Sequence, residues 1–437
     1  EAGFVAARLA GCETVRPSLE EHRTNLERLL AHVEQDSLFP DDPAFRQLEE
    51  DFFTLAPLTG ACPETVPAYA ALTSRMRAAL KRQSEHWDVS DRLARSTLYR
   101  LLYGTRSALE EITLQTPPDR RPPALSLGTD EPSATPAATL LGVTIHSGDI
   151  LVSRGGAPTS ALIARGNDFP GNFSHVALAY VDSASGRLSL LESHIERGVA
   201  ISTPEEYLRD TKLRVMVLRL RHDLPLLRRD PLLPHRAAFS MLSRAQREHI
   251  AYDFAMDCAD TGKLFCSEVA SQSYRAFGVK LWMGMSHISS PGLCAWLADL
   301  GVRHFETQEP SDLEYDPQLR VVAEWHDAEL LRKDHIDNAV TEAMLEGAER
   351  GDRLTYHWVE LPLVRLVKGY CMMLNALGKI GPVPEGMSAT SALKHESYRQ
   401  RHERAVALVR DAAENFRLAR GYEPPYWALL RMARQAL

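Results

Sequence analysis

The spacing of hydrophobic residues changes twice along the chain and predicts helices at both ends with strands between them. Over residues 1–115 apolar residues recur every three or four positions, the spacing of an amphipathic helix. The predicted helices begin at Ser18, where Ser-Leu-Glu-Glu has the pattern of a capping box, at Val66, and after Ser90. We expect them to form an antiparallel helical bundle.

Residues 116–138 contain six prolines among Ser, Thr, Asp and Arg, which predicts a linker that resists regular structure. Short runs of strand-forming residues follow between residues 139 and 330. The predicted strands are Asp149–Ser153, His175–Val181, Leu188–His194, Val199–Ser202, Leu213–Leu220 and Leu319–Trp325. Only short helices, at Thr203–Asp210 and 241–250, separate most of them, so we expect an antiparallel sheet and an α+β fold.

Helical spacing returns after residue 330. The predicted helices lie near 336–349, 360–378 and 393–420, and Gly421 ends the last of them. The chain therefore divides into an N-terminal helical region (1–115), a Pro-rich linker (116–138), a mixed domain (139–330) and a C-terminal helical region (331–437).

The stretch Tyr252–Gly278 joins a predicted strand to a predicted helix. Tyr252, Phe254 and Met256 alternate as in a half-buried strand, and apolar residues return at helical spacing after Cys266. Cys266 is thus expected at a helix N-terminus, where unpaired N–H groups and the helix dipole favour a thiolate. A nucleophilic cysteine fits that place, and so does an inert one, because most free cysteines are small core residues.

The composition narrows the classes of function. The 437 residues are 44% hydrophobic and 25% charged, as in an ordinary globular protein. The net charge is −8 and no basic patch with interleaved aromatics occurs, so no nucleic-acid partner is expected. No uncharged apolar run reaches about 18 residues, the length of a membrane-spanning helix. The six cysteines form no C-x-x-C pair, which argues against a zinc ribbon or a thioredoxin motif, and they imply no disulfide framework.

The run Leu9–Cys12 has the form of a bacterial lipoprotein cleavage box, in which the cysteine carries lipid. Glu1 and Arg8 interrupt the apolar segment that such a signal needs, and an amphipathic helix start explains the same residues equally well. The alternatives are attachment to the bacterial cell envelope through a lipidated Cys12, or a cytoplasmic location.

A thiolate nucleophile needs a base, and the base needs a partner that orients it. His175 begins a predicted strand directly after a loop rich in Gly, Pro and Asn, and Glu192 lies in the neighbouring hairpin strand. His194 shares a face with Glu192 and is the rival for the third place. Each residue also has an ordinary explanation, a strand-end histidine bound to backbone and a glutamate paired with Arg187 or Arg197.

Five motifs occur together in a recognisable order: Gly148–Ser153, Phe173–Leu178, Leu191–Glu192 followed by Gly198–Val199, Tyr252–Phe254, and Phe265–Val269. They resemble the circularly permuted papain-like cysteine hydrolases of the YiiX/YebB group, relatives of the NlpC/P60 peptidases and of lecithin retinol acyltransferase. In ordinary papain-like enzymes the cysteine precedes the histidine, and here the order is reversed, as permutation requires. The resemblance covers roughly residues 142–330, and the helical regions lie outside it.

The resemblance implies a catalytic triad and no cofactor or metal. Cys266 is the expected nucleophile, His175 the general base and acid, and Glu192 the orienting carboxylate. The backbone N–H of Cys266 and the side chain of Tyr252 are the expected oxyanion donors. Glu268 is expected to complement the helix dipole, and Gly155, Gly156 and the loop 166–174 to border the cleft.

Three functions remain open at this point. The first is a thiol hydrolase that cleaves an amide or peptide bond, for example in cell-wall peptide. The second is a lipid-directed acyltransferase or lipase with the same triad, which an apolar acyl tunnel would favour. The third is a non-catalytic scaffold whose helical regions bind an unknown protein partner. A metal site is the least supported, because the 16 histidines include no H-x-x-x-H or H-E-x-x-H pair on a predicted helix.

Overall fold

The computed structural model describes residues 1–376 and 379–437. Its N-terminal part is a bundle of five helices around one hydrophobic core, as the sequence predicts. The helices are α1 (Ala2–Ala10), α2 (Cys12–Gln35), α3 (Pro43–Ala61), α4 (Val66–Gln83) and α5 (Arg92–Gln115). The predicted starts at Val66 and after Ser90 are confirmed, and Asp91 caps α5 by accepting the N–H groups of Leu93 and Ala94.

The predicted helix start at Ser18 is wrong. Ser18 lies inside α2, which begins at Cys12 and passes through Pro17. The buried residues Val15 and Leu19 lie on either side of this proline, so the apolar face of the helix runs through it. Packing of that face within the bundle therefore overrides the local capping signal.

A disulfide joins Cys12 to Cys62, although the cysteine spacing implied no disulfide framework. It links the start of α2 to the end of α3, across 50 residues of chain. A sulfur in a disulfide cannot also carry a thioether-linked lipid, so this bond and the predicted lipidation of Cys12 exclude each other.

The centre of the molecule is a seven-stranded sheet in which every neighbouring pair is antiparallel, so the α+β prediction is confirmed. Its order is β1-β11-β8-β4-β5-β6-β7. These strands are β1 (Leu125–Leu127), β4 (Ile150–Gly155), β5 (His175–Val181), β6 (Leu188–His194), β7 (Gly198–Ser202), β8 (Lys212–Leu220) and β11 (Leu319–His326). Two small sheets pair β2 (Ala137–Leu140) with β3 (Val143–His146), and β9 (Ser286–His287) with β10 (Glu306–Thr307).

The prediction that residues 116–138 resist regular structure is wrong in part. Strand β1 lies within this segment and pairs with β11 at the edge of the large sheet, where Leu125 faces Trp325. An edge strand tolerates proline on either side, because only one of its two sides must form ladder hydrogen bonds. The segment therefore contributes to the sheet, and the domain boundary drawn there remains a prediction.

Short helices connect the strands of this region. They are α6 (Pro158–Arg165), α7 (Pro204–Arg209), α8 (Pro225–Arg229), α9 (Leu233–Arg247), α10 (Cys266–Arg275) and α11 (Pro291–Leu300). Helix α7 has the predicted threonine cap, in which Thr203 and Glu206 exchange side-chain-to-backbone hydrogen bonds. Helix α9 starts earlier than predicted and ends before residue 250.

The predicted strand at Tyr252–Met256 is wrong. These residues form an irregular loop in which the Asp253 carboxylate accepts the N–H groups of Ala255 at 2.9 Å and Asp257 at 2.6 Å. Met256 has a positive φ of 59°, which no strand residue adopts. Side-chain capture of the local N–H groups replaces the strand ladder here, and the alternating apolar residues line a cavity instead.

The C-terminal helices are α12 (Ala328–Glu349), α13 (Leu361–Ala376), α14 (Ala389–Arg420) and α15 (Tyr426–Ala436). They match the three predicted helical segments and add a fourth, and residues 377 and 378 of the predicted helix 360–378 lie outside the described residues. Gly421 ends α14 in the left-handed conformation, as predicted.

A group of eight buried or nearly buried side chains fastens the helical regions to the sheet, and we call it the arginine–carboxylate cluster. Its members are Arg77, Arg106, Glu110, Arg154, Arg214, Glu314, Glu324 and Asp334. Arg214 of β8 lies at its centre. It binds both oxygens of Glu110 from α5 and holds Asp334 of α12 at 2.5 Å.

The rest of the cluster follows the same pattern. Arg154 of β4 lies 3.2 Å from Asp334, and Glu324 of β11 binds Arg77 at 2.9 Å and Arg106 at 3.2 Å. Bundle, sheet and C-terminal helices therefore meet through ion pairs as well as through apolar contacts.

Candidate active site

Three polar side chains share one face at the ends of two paired strands. In the β5–β6 ladder Ala177 faces Glu192, which places His175 and Glu192 on the same face of the sheet, two positions apart. The Nε2 atom of His175 lies 2.8 Å from Oε2 of Glu192. Glu192 is 1% exposed, so this hydrogen bond is shielded from water. The structure thus brings together the predicted base and its predicted orienting carboxylate.

His194 belongs to the same group. Its Nε2 atom lies 3.1 Å from the other carboxylate oxygen of Glu192, and its ring centre lies 5.5 Å from that of His175. Arg197, which could have paired with Glu192, instead lies 3.1 Å from His194 and 3.2 Å from Ser202. One carboxylate is therefore shared by two imidazoles, and the geometry keeps His194 as the alternative third member.

Cys266 is the first residue of α10, as the sequence predicts. Helix α10 packs against β5. The thiol lies 3.9 Å from the carbonyl oxygen of Ser174 and accepts a hydrogen bond from the backbone N–H of Val176. It therefore lies beside residue 175. Because Nε2 of His175 is bound to Glu192, Nδ1 is the ring nitrogen left to accept a proton, and among the described residues no hydrogen bond joins it to the thiol.

The sequence-based expectation of a thiolate is not met in this conformation. Burial raises the pKa of Cys266 to about 12, although hydrogen bonds from Val176 and Ser267 partly offset it. Burial also lowers the pKa of His175, against the hydrogen bond that its Nε2 donates to Glu192. Desolvation of a side chain that is 5% exposed outweighs the helix dipole. The resting pair is therefore a neutral thiol and a neutral imidazole.

The carboxyl groups of Glu192 and Glu268 differ in their protonation state. Burial would raise the pKa of Glu192, but its hydrogen bonds to His175 and His194 outweigh burial and hold that pKa well below the usual range. Burial raises the pKa of Glu268 to about 8, against the hydrogen bond that it accepts from the N–H of Phe265. Glu192 is thus a permanent anion. Glu268 was expected to complement the helix dipole, and it instead accepts the N–H of Phe265 largely in its neutral form.

A cavity of about 100 Å³ opens beside the thiol, and its wall is almost entirely apolar. Its apolar lining residues are Leu162, Ile163, Ile195, Phe254, Met256, Phe265, Leu297, Leu300, Val302, Pro310 and Met387. Helix α6 forms the wall on the side where Gly155, Gly156 and the loop 166–174 were expected. The sequence could not show this cavity, because its wall comes from seven separate segments of the chain.

Polar side chains also line the cavity, among them Tyr252 and Gln308. Tyr252, the predicted oxyanion donor, lines the cavity, and its burial, together with the nearby Cys266, raises its pKa well above the usual value. Gln308 also lines the cavity, and its Oε1 atom has no hydrogen-bond partner among the described residues. No sequence signal marked Gln308, which lies in a loop after β10.

The group of His175, Glu192 and His194 also has the composition of a metal site. One ligand atom from each lies within 4.8 Å of the others. Those same atoms are engaged in the two hydrogen bonds to Glu192, an arrangement that a bound ion would have to break. The hydrogen-bonded state is the one that positions a general base.

No protein-family model, no curated protein and no solved structure gives a significant match to this chain. Among residues 1–376 and 379–437, no helix is both long enough and apolar enough to cross a membrane.

Proposed function

We propose that the protein is a cysteine acyl hydrolase or acyltransferase with Cys266 as nucleophile, His175 as base and Glu192 as orienting group. The observation that carries the proposal is a buried thiol at a helix start, 3.9 Å from the carbonyl oxygen of Ser174, the residue before a histidine whose Nε2 is held by a buried carboxylate. The motif order and the antiparallel sheet support kinship with permuted papain-like hydrolases, which remains part of the proposal.

The reaction follows from the neutral resting pair. His175 takes the thiol proton at Nδ1 as the sulfur of Cys266 attacks the acyl carbon, and Glu192 stabilises the imidazolium that forms. The imidazolium then gives the proton to the leaving group, and a thioester remains on Cys266. Water or another acceptor attacks the thioester, losing its proton to His175, and the thiol is restored as the acyl group leaves.

Charge that develops on the acyl oxygen needs donors. The backbone N–H of Cys266 is one of the unpaired groups at the start of α10. Tyr252 and Gln308 are the side-chain candidates on the cavity wall. Loss of the correct donor is expected to lower kcat by about 10²–10³-fold, so Tyr252→Phe and Gln308→Ala distinguish the two.

The cavity favours an acyl group with an apolar chain over a peptide. Each CH₂ group of an acyl chain that is buried against an apolar wall stabilises binding by about 0.8 kcal/mol. The same wall offers a peptide backbone few hydrogen-bond partners. The lipid-directed reading is therefore the better supported of the two, and cleavage of an amide or peptide bond is the second candidate.

The test is acylation of the protein followed by intact mass spectrometry. Chromogenic esters of increasing chain length and a matched N-acyl amide are each mixed with the wild type and with Cys266→Ala. We expect a hydroxylamine-sensitive acyl adduct on the wild type alone, formed faster as the chain lengthens. Preference for the amide at every length would favour the peptidase reading. If no substrate gives turnover or an adduct that depends on Cys266, the scaffold reading prevails.

A further inference from the structure

Exposed apolar side chains are concentrated in one short segment of the C-terminal region. Of the 21 large hydrophobic side chains that are exposed in the described part of the chain, eight lie between residues 358 and 380. They are Trp358, Val359, Leu363, Leu366, Tyr370, Met372, Met373 and Ile380. A soluble monomer rarely exposes so dense an apolar patch, and such patches mark interaction surfaces.

Half of these residues share one face of α13. Positions 363, 366, 370 and 373 are spaced by three, four and three residues, the repeat of a single helical stripe, and Val359 lies just before the helix in the turn Trp358–Glu360. Leu366 is 74% exposed, whereas Cys371, which lies on another side of α13, is fully buried. An apolar stripe of this kind normally packs on a core, and here it faces outward. We call it the α13 face.

The charge around the α13 face is opposite to that of the whole chain. Residues 353–380 contain four basic residues, Arg353, Arg365, Lys368 and Lys379, and one acidic residue, Glu360, a balance of +3 (4 − 1). The whole chain carries −8. The acidic residue just before the segment, Asp352, is paired with Arg401 at 2.7 Å. An apolar stripe with cationic neighbours is the pattern of a helix that lies in a membrane interface, and the charge suits anionic lipid.

Helix α13 also supports the cavity beside Cys266. Lys368 donates hydrogen bonds to the carbonyl oxygens of Pro384 at 2.7 Å and Glu385 at 2.6 Å. Two residues further on, Met387 lines that cavity. The helix that presents the apolar stripe thus holds the segment that closes one wall of the candidate active site.

We propose that the α13 face binds the surface of an anionic lipid bilayer, with the helix lying parallel to the membrane plane. Helix α13 is about 24 Å long, 16 residues at about 1.5 Å each. The apolar side chains of its stripe enter the acyl boundary, while Arg353, Arg365 and Lys379 contact the headgroups. Binding needs no reaction at Cys266. Delivery of an acyl chain from the bilayer to the cavity does rest on the function proposed above.

The experiment is co-sedimentation of the full chain with vesicles, in a Cys266→Ser background that prevents turnover. One set of vesicles is phosphatidylcholine alone and the other is phosphatidylcholine mixed with phosphatidylglycerol. The variant Leu363→Ser/Leu366→Ser/Tyr370→Ser removes the stripe. The matched control, Leu408→Ser/Leu418→Ser, removes two side chains of α14 that are 55% and 69% exposed.

We expect the parent and the α14 control to bind the mixed vesicles, more weakly as salt rises, and the α13 variant to lose binding by about tenfold or more. Circular dichroism checks that each variant is folded. If the parent sediments with neither vesicle, or the control loses as much as the α13 variant, the proposal is wrong. A dimer by light scattering that becomes a monomer only in the α13 variant would show that a second copy covers the face. Because the readout omits turnover, failure here and failure of the proposed reaction are separate results.

Discussion

The protein buries two groups of ionisable side chains on one sheet, and they differ in whether their charges are matched. The arginine–carboxylate cluster contains four guanidinium groups and four carboxylates, each guanidinium within ion-pair distance of at least one carboxylate. The group at the other site contains one permanent anion, Glu192, with two imidazoles and a thiol. The ion pairs of the first group are either intact or broken. In the second group, by contrast, a proton can move from one member to another.

The protonation behaviour of the two groups shows the same contrast. Arg214 and its neighbours hold the pKa of Glu110 well below its usual value despite its burial, so this carboxylate stays charged at any ordinary pH. His175 and Cys266 are both shifted toward their neutral forms, chiefly by burial. A desolvated base and thiol near a fixed anion are typical of a catalytic site, and guanidinium groups whose charge is matched by carboxylates are typical of structural sites.

Removal of the base should give the largest effect on activity. His175→Ala is expected to lower kcat/KM by about 10²–10⁴-fold, because the thiol has no other acceptor for its proton. The midpoint of thermal unfolding should change little, since this imidazole is at the end of a strand. A fall in stability that accounts for the lost activity would contradict the distinction between the two groups.

Removal of a cluster arginine should act on stability instead. Arg214→Met removes the partner that Glu110 and Asp334 share and leaves them only His335 and Arg154, so we expect the free energy of unfolding to fall by about 3–5 kcal/mol. Chemical denaturation measures it. The control is Arg399→Met, which removes a solvent-exposed ion pair on α14 and should cost less than about 1 kcal/mol. Equal losses for the two variants would show that the buried cluster contributes no more to stability than an exposed ion pair does.

The third member of the triad can be decided by comparing Glu192→Gln with His194→Ala. If Glu192 orients His175, the glutamine variant should lose about 10²-fold or more in kcat, because the amide cannot stabilise the imidazolium. His194→Ala should then lose much less. The reverse order of the two losses would assign the role to His194. Both variants are scored by turnover of the acyl substrate.

The smallest expected difference is in the response to pH. The folded pKa of His175 lies below its ordinary 6.5, so activity should persist below pH 6.5 and fall as acid protonates the base. Glu324 has a folded pKa of about 2 against an ordinary 4.5, because the charge of Arg106 outweighs the effect of burial. Its stabilisation is present above about pH 4.5 and is lost as pH falls toward about 2. Measured against pH, kcat/KM and the midpoint of thermal unfolding should therefore fall in two different acidic ranges.

The strands and the polar site residues are the parts that local pattern predicted well. Period-two alternation gave β5 and β6 with their exact bounds, and the cap at Thr203 was visible as a capping box. The clustering of His175, Glu192 and His194 could be predicted from these two strands, because residues two positions apart on paired strands share a face of the sheet. Local sequence patterns failed where tertiary packing or side-chain hydrogen bonds overrode them. The examples are the helix start predicted at Ser18, which lies inside α2, and the strand predicted at Tyr252, which is a loop.

Other features could not be predicted, because they depend on residues far apart in the sequence. The pKa of Cys266 depends on how completely Ser174, Val176 and Glu309 surround it, and helix position alone predicted the wrong direction. Gln308 reaches the cavity from a loop without any motif. The disulfide partner of Cys12 lies 50 residues away, and no spacing rule selects it.

The first and last helices of the described chain are in contact, and this has a consequence for the order in which the protein can fold. The ring of Phe4 in α1 packs edge-on against Trp427 in α15 at 5.5 Å, across 423 residues (427 − 4). At about 5–20 residues per second, a ribosome needs roughly 20–80 s to join these two partners. The helices of the bundle can associate early, but the aromatic contact of α1 cannot form until α15 has been synthesised.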